Sequence, residues 1–268
     1  DVNNFLELEG EINVLEQSYR VPKHAHFLAG SLIKRVSKRR EKFCKPRPEA
    51  GQLLWHSDIE HIDMSEGEWL ILARNNYLLN QAEQQCRLEG FFYQRSNRKG
   101  VNDKLLEAIL SWEQLRKGES VTAAQVKQIY KYMTANRGVA KEHKTLKGIF
   151  DEAILSLQTL LSSHGLLTTT IWHEAFDRVS DKERQYLIAC LRRGEKLTKT
   201  PRIQISTIHG AKGSEADNVV VLTDIGQKSW LEMQKQPDDE TRVFYVALTR
   251  VKKNLHIIQP RTTRSFQL

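Results

Sequence analysis

Apolar residues fall along this chain in two rhythms, and the rhythm changes twice. Up to about residue 98, short apolar runs alternate with amphipathic stretches. EINVLE at 11–16 has the character of a strand, and the stretch from Pro22 to about Arg39 has helical spacing, with Pro22 suited to a first helical turn. After a break at Pro46 and Pro48, WLILAR at 69–74 is an apolar run short enough to be a buried strand. A helix over about Asn75 to Leu88, closed by Gly90, then leads to a short strand in FFYQ. Strand, helix, strand is the order a parallel sheet with crossover helices requires.

From about Lys99 to Thr198 the strand signals vanish. DKLLEAILSWEQL, AAQVKQIYKYM, LKGIFDEAILSLQTLL and KERQYLIACLRR follow one another with helical periodicity. After Pro201 strands return in RIQIST, NVVVLTD and NLHIIQ, with the helical pattern DDETRVFYVALTR between the last two. The expected fold is therefore α/β: a parallel sheet with flanking helices built from residues 1–98 and 199–268, interrupted by an all-helical insert over 99–198.

Composition narrows the function classes. No run approaches the roughly 18 apolar residues of a membrane helix, and DVNNFLELEG lacks the basic and then apolar regions of a signal peptide, so a cytoplasmic protein with no membrane partner is expected. Cys44, Cys86 and Cys190 are far apart and show no metal-ligand rhythm, which points to ordinary thiols and no metal site. A net charge of +8, from 41 basic and 33 acidic residues, favours a polyanionic partner without naming it.

Three stretches carry candidate chemistry. In STIHGAKGSEADNVVVL a strand runs into donors: Thr207, His209 and Lys212 can all reach phosphates, and Gly210 and Gly213 allow close backbone approach. The same residues would equally serve as a capped helix start. In DDETRVFYVALTR the apolar positions would pack a helix on a sheet and leave Arg250 at its C-terminal end, where it either complements the helix dipole or offers a fixed guanidinium to a phosphoryl group. In LEQSYRVP a strand leads to Gln17, Tyr19 and Arg20: a ring that could stack a base or line a core, and a second phosphate-directed charge.

Taken in order, these segments resemble the UvrD/Rep-like DNA helicases. LEQSYRVP looks like the family's motif IV, ILARNNYLLNQAEQQCRLEGFFYQ like the segment that follows it, TIHGAKGSEADNVVVL like motif V and RVFYVALTR like motif VI. The resemblance covers nearly all of the α/β part, and the helical insert matches in position and type. It implies the second of two RecA-like motor domains, with ATP in the cleft between them. By resemblance Tyr19 stacks on adenine with Gln17 nearby, Arg20 and Arg250 contact the γ-phosphate, and Glu215 contacts the ribose. Arg74, Thr207 and His209 match positions facing single-stranded DNA, and Lys212 keeps the motif's shape beside them.

The chain departs from the family pattern in having Ser214 and Ala216 around the motif V glutamate, and it contains no GxxxxGK[ST] segment and no strand ending in paired acids. The P-loop and the magnesium-binding carboxylates are therefore expected on a separate N-terminal RecA-like domain of the same polypeptide. This chain alone, read as a truncated piece, is expected to bind but not hydrolyse ATP. Single-stranded and junction DNA are the expected nucleic-acid partners. The competing reading is a helicase-like binding module without catalysis, against which stand the retained Arg20, Glu215 and Arg250. In the insert, Lys127, Lys131, Arg137, Lys141, Lys144 and Lys147 could form a basic patch or simply a solvated face.

Overall fold

The computed structural model describes residues 16–39, 41, 43–96 and 98–268, so the strand expected at 11–16 lies outside the described residues but for its last position. The chain divides into two compact units, one of residues up to 98 together with 200–268, the other of residues 99–199.

The first unit is the α/β part. Helix α1 (Lys23–Ile33) starts after Pro22, which sits at the N-cap in extended conformation instead of inside the first turn. It ends well before Arg39, because the backbone N–H and hydroxyl of Ser37 turn to the carboxylate of Asp238. Strands β1 (Gln52–His56) and β2 (Trp69–Ala73) follow, then α2 (Asn80–Glu89), entered through a 3-10 turn over Asn76–Leu79 and ended by Gly90 in the left-handed region. Strands β3 (Tyr93–Arg95) and β4 (Arg98–Lys99) end the N-terminal portion.

In the second unit, α3 (Asp103–Arg116) is capped by Asn102 and packs on α4 (Ala123–Lys131), which opens with a Thr122/Gln125 capping box. Leu105, Ile109, Trp112 and Leu115 of α3 and Val126, Ile129 and Tyr130 of α4 are buried. The unit is helix-rich but not all-helical. Short strands β5 (Val121–Thr122) and β6 (Ile154–Leu155) pair antiparallel, and the helix expected through LKGIFDEAILSLQTLL begins only at α5 (Leu157–Ser163). Gly148 at φ +80° breaks the run, and Ser156 caps α5 by accepting from Thr159 N. Helices α6 (Trp172–Ala175) and α7 (Asp181–Arg192) complete the unit.

The chain then returns to the first unit with β7 (Ile203–Thr207), β8 (Ala216–Leu222), α8 (Gln227–Lys235), α9 (Pro237–Leu248) and β9 (Val251–Ile258). The seven strands lie in the order β1-β9-β8-β2-β7-β3-β4. The pairs β1/β9, β9/β8, β8/β2, β2/β7 and β7/β3 are all parallel. Side chains alternate across a strand, so Leu70, Leu72, Val219, Val221, Leu255 and Ile257 share one face. They form a core with Ala25, Ala29 and Leu32 of α1 and Phe244, Ala247 and Leu248 of α9. All five residues of β2 are buried, as a central parallel strand covered on both faces requires. Among the described residues, no helix is long and apolar enough to cross a membrane.

Gly51, where the chain enters β1, has φ +67°, and a Cβ there would lie 2.5 Å from the Lys253 carbonyl oxygen and 2.6 Å from Pro22 Cβ. Gly118 has φ +87° but open space around it. Gly51→Ala is expected to lose about 3 kcal/mol of stability and Gly118→Ala about 1 kcal/mol, the difference being the steric overlap added to a similar backbone strain. Urea unfolding midpoints of the two variants check this.

Candidate functional site

In a parallel sheet every strand starts at one edge and finishes at the other, and the candidate residues fall at both edges. At the amino-terminal edge, Glu215 immediately precedes β8 and Arg250 immediately precedes β9, and Ala216 N donates to the Arg250 carbonyl at 3.3 Å. Arg20 comes to the same place from the segment before α1. That segment is held by a parallel bridge between Gln17 and Lys45, with Ser18 N donating to Lys45 O at 2.8 Å. The Gln17 amide donates to the Pro46 carbonyl at 2.9 Å, so it pins the loop that carries Tyr19 and Arg20. Tyr19 is 87% exposed.

Arg20 Nη1 donates to Glu215 Oε2 at 3.2 Å, and Lys252 Nζ lies 3.0 Å from Glu215 Oε1. The bond from Lys252, then that from Arg20, holds the Glu215 carboxyl below its ordinary range. Arg250 stands beside them with its Nε donating to Val246 O at 3.0 Å. Burial, and then the neighbouring Arg20 charge, lower its pKa, while Glu215 acts in the opposite sense. Burial raises the Tyr245 hydroxyl, although the two arginines beside it pull the other way. The Nε of Arg20 is buried without a hydrogen-bond partner. Arg20, Arg250 and Lys252 thus gather around the carboxylate of Glu215.

At the carboxyl-terminal edge, β2 and β7 are neighbours, with Ala73 paired to Thr207. Arg74, one residue beyond, gives its Nε and Nη2 to both oxygens of Glu240 at 2.7–2.9 Å, and Nη1 takes no part in this pair. Glu240 lies in the first turn of α9 and is 4% exposed. Asn75 accepts from Gly226 N at 2.6 Å and donates to Ser229 Oγ at 3.1 Å, which fixes the start of α8. The Thr207 hydroxyl accepts from Gly210 N at 3.1 Å, and His209 is exposed.

Residues 208–215 connect the two edges. They form successive turns and not a helix, with Gly213 at φ +87°. Ile208 and Ala211 are buried in the core formed with α1 and α9, so the loop crosses the sheet face while Lys212 stays exposed. Thr207 and His209 therefore belong to one edge and Glu215 to the other, although all lie within one short motif.

Sequence reasoning missed three residues. Glu240 reads as an ordinary acid in a first helical turn, and Tyr245 as one more packing residue. Lys252 alone carries a signal, since it lies two residues beyond Arg250, on the same side of an extended segment. Of the candidate basic patch in the second unit, Lys127 pairs with Asp151 at 2.7 Å, Lys144 donates to the Tyr130 and Met133 carbonyls, and Arg137 lies 3.6 Å from Asp177. Those three cations are engaged within their own unit. Cys86 and Cys190 are buried and Cys44 is half-buried, and none of the three is in a disulfide.

Residues 113–262, more than half of the chain, match the family model of the UvrD-like helicase C-terminal domain. The match includes Thr207, His209, Lys212, Glu215, Glu240 and Arg250, and leaves Gln17, Tyr19, Arg20 and Arg74 outside it. A search of curated proteins returns no significant match.

A carboxylate whose folded pKa is depressed adds stability above its unfolded value and loses it as pH falls through the folded one. Glu215 is expected to titrate below the ordinary glutamate value of about 4.3. Lys252→Met should move it upward, because the stronger of its two partners is removed. Carboxyl carbon NMR shifts across an acid titration measure both.

Proposed function

The chain belongs to the family of UvrD-like helicase C-terminal domains, and on that premise we propose that its sheet carries two sites, one at each edge. The amino-terminal edge of β8 and β9 is half of an ATP site. The carboxyl-terminal edge of β2 and β7 is a track for single-stranded DNA. The observation that carries this reading is the crowding of Arg20, Arg250 and Lys252 around the single carboxylate of Glu215. Like charges held together by the fold repel one another, and an incoming polyphosphate relieves that repulsion. The residues fit such a substrate: Arg20 has an unpartnered buried Nε, Arg250 is fixed at a helix end, and the Tyr19 ring is open for stacking on a base.

In this reading the N-terminal motor domain brings the P-loop and magnesium, and this chain brings the guanidinium groups. Arg20 spends one hydrogen of Nη1 on Glu215 and keeps Nη2 for the γ-phosphate. Lys252 holds the other oxygen of Glu215, which keeps that carboxylate in place for the ribose. Arg250 has its Nε anchored on Val246 O, and its outer nitrogens remain for phosphate. Both arginines stabilise charge that grows in the transition state, so they govern turnover more than binding. At the other edge Thr207, His209, Lys212 and the Nη1 of Arg74 meet a DNA backbone, which makes binding tolerant of sequence and sensitive to salt. Alternate tightening and loosening of the two motor domains on the strand moves the protein along it and separates a duplex ahead. Junction DNA, where duplex and single strand meet, is the matching substrate.

Arg250→Ala, in the chain assembled with its N-terminal motor domain, is expected to lower DNA-stimulated ATP hydrolysis about a thousandfold. The affinity for a fluorescent ATP analogue should change less than about tenfold, because this arginine acts mainly on the transition state. Turnover retained within tenfold, or absent from the wild-type assembly, would remove the catalytic assignment and leave a nucleic-acid-binding module. Lys212→Ala should weaken binding to oligothymidine equally for all sequences and reduce the salt slope by about one. Fluorescence anisotropy over a potassium chloride series measures that slope.

A further inference from the structure

The helix α9 touches both edges of the sheet. Its first turn holds Glu240 against Arg74 at the carboxyl-terminal edge, and Arg250 follows its last turn at the amino-terminal edge. From Glu240 to Leu248, the last residue of α9, the helix rises about 12 Å. Phe244, Ala247 and Leu248 are fully buried in the core, so α9 is packed along its length and moves as a rod or not at all.

We propose that Glu240 is a positioning residue that couples the DNA edge to Arg250 through α9, with Arg74 as the group that senses the nucleic acid. The inference rests on the two-site reading above. Its physical basis is the division of one guanidinium: Arg74 commits Nε and Nη2 to Glu240 and keeps Nη1 for an anion. An anion on that outer nitrogen and the carboxylate on the inner edge both fix the same planar group, so the position of the anion is transmitted to the first turn of α9. Stability alone is a weak reason for such a pair, since a buried ion pair is commonly no more stabilising than apolar residues of similar volume. The surroundings make the turn a defined anchor. Asp238, two residues before Glu240, accepts from Ser37 N, Ser37 Oγ and Lys38 N, and Asn75, next to Arg74, holds the start of α8. The crossover from β8 to β9 is thus pinned to the carboxyl-terminal edge at the start of each of its helices, while its end carries Arg250.

The test is thermodynamic linkage in the chain assembled with its N-terminal motor domain. Affinity for a 16-residue oligothymidine is measured with and without a non-hydrolysable ATP analogue, and the ratio of the two is the linkage factor. The wild type is expected to show a factor of about ten. Glu240→Gln should bring it within twofold of one while leaving affinity for the analogue without DNA within about threefold of wild type. Asp239→Asn, in the same turn but paired only at the surface with Arg242, should leave the factor unchanged. The double variant Arg74→Gln with Glu240→Gln removes both charges together and leaves no unpaired buried ion, and it too should lose linkage if the pair is the coupler. A factor that persists in Glu240→Gln and in the double variant overturns the proposal, whatever happens to thermal stability. A wild-type factor of one overturns the two-site reading itself, and this inference with it.

Discussion

The constraint from which this architecture follows is that parallel strands cannot be joined by tight turns. Each connection must return from the finishing edge of one strand to the starting edge of the next, so it crosses the sheet face. Two of these returns are the residues that resemble the motor-domain motifs: the loop 208–215 between β7 and β8, and the α8–α9 segment between β8 and β9. Each begins at the edge holding Arg74, Asn75 and Thr207 and ends at the edge holding Arg20, Glu215 and Arg250. A fold obliged to make such crossings places polar residues at both edges, and it joins them by rigid elements whose apolar residues form the core.

The two edges use charge differently. Arg74 and Glu240 satisfy each other in a two-pronged pair, with little exposure and geometry set by the planar guanidinium. At the opposite edge, Arg20, Arg250 and Lys252 share one carboxylate, and Arg250 is both partly buried and next to a like charge. The first commits one edge of a guanidinium to one carboxylate, and the second gathers three cations around Glu215. On the reading proposed above, a polyphosphate supplies the balancing negative charge.

The second unit shows the same physics without a candidate site. Its core is formed by Trp112, Tyr130, Phe176 and their neighbours, and the polar ends of the first two are satisfied by backbone carbonyls: Trp112 Nε1 donates to Thr170 O and Tyr130 OH to His164 O. Several cations that could have formed a basic patch instead hold loops together. Scattered positive charge in a sequence therefore does not by itself identify a binding face.

Much of the fold was legible in the sequence, because alternation and helical spacing are local consequences of where side chains point. The apolar runs at β2, β7, β8 and β9, and the helical patterns of α2, α3, α4, α7 and α9, all lie where the structure has those elements. The short ladder of β5 and β6 was not legible, since two-residue strands have no period to detect and the flanking apolar residues mimic a helix. Arg20, Arg250 and Thr207 could be singled out as residue types capable of phosphate chemistry, and Glu215 only through the resemblance of these segments to a known family. What the sequence alone determined was thus the succession of most strands and helices and the residues able to meet an anion. Which of those residues meet one another was decided only by the tertiary structure. Glu215 and Thr207 separate to opposite edges although eight positions apart, while Arg20 reaches Glu215 across 195 positions and Arg74 reaches Glu240 across 166. The reason is physical: strand register and crossover packing set those distances, and neither is encoded in local periodicity.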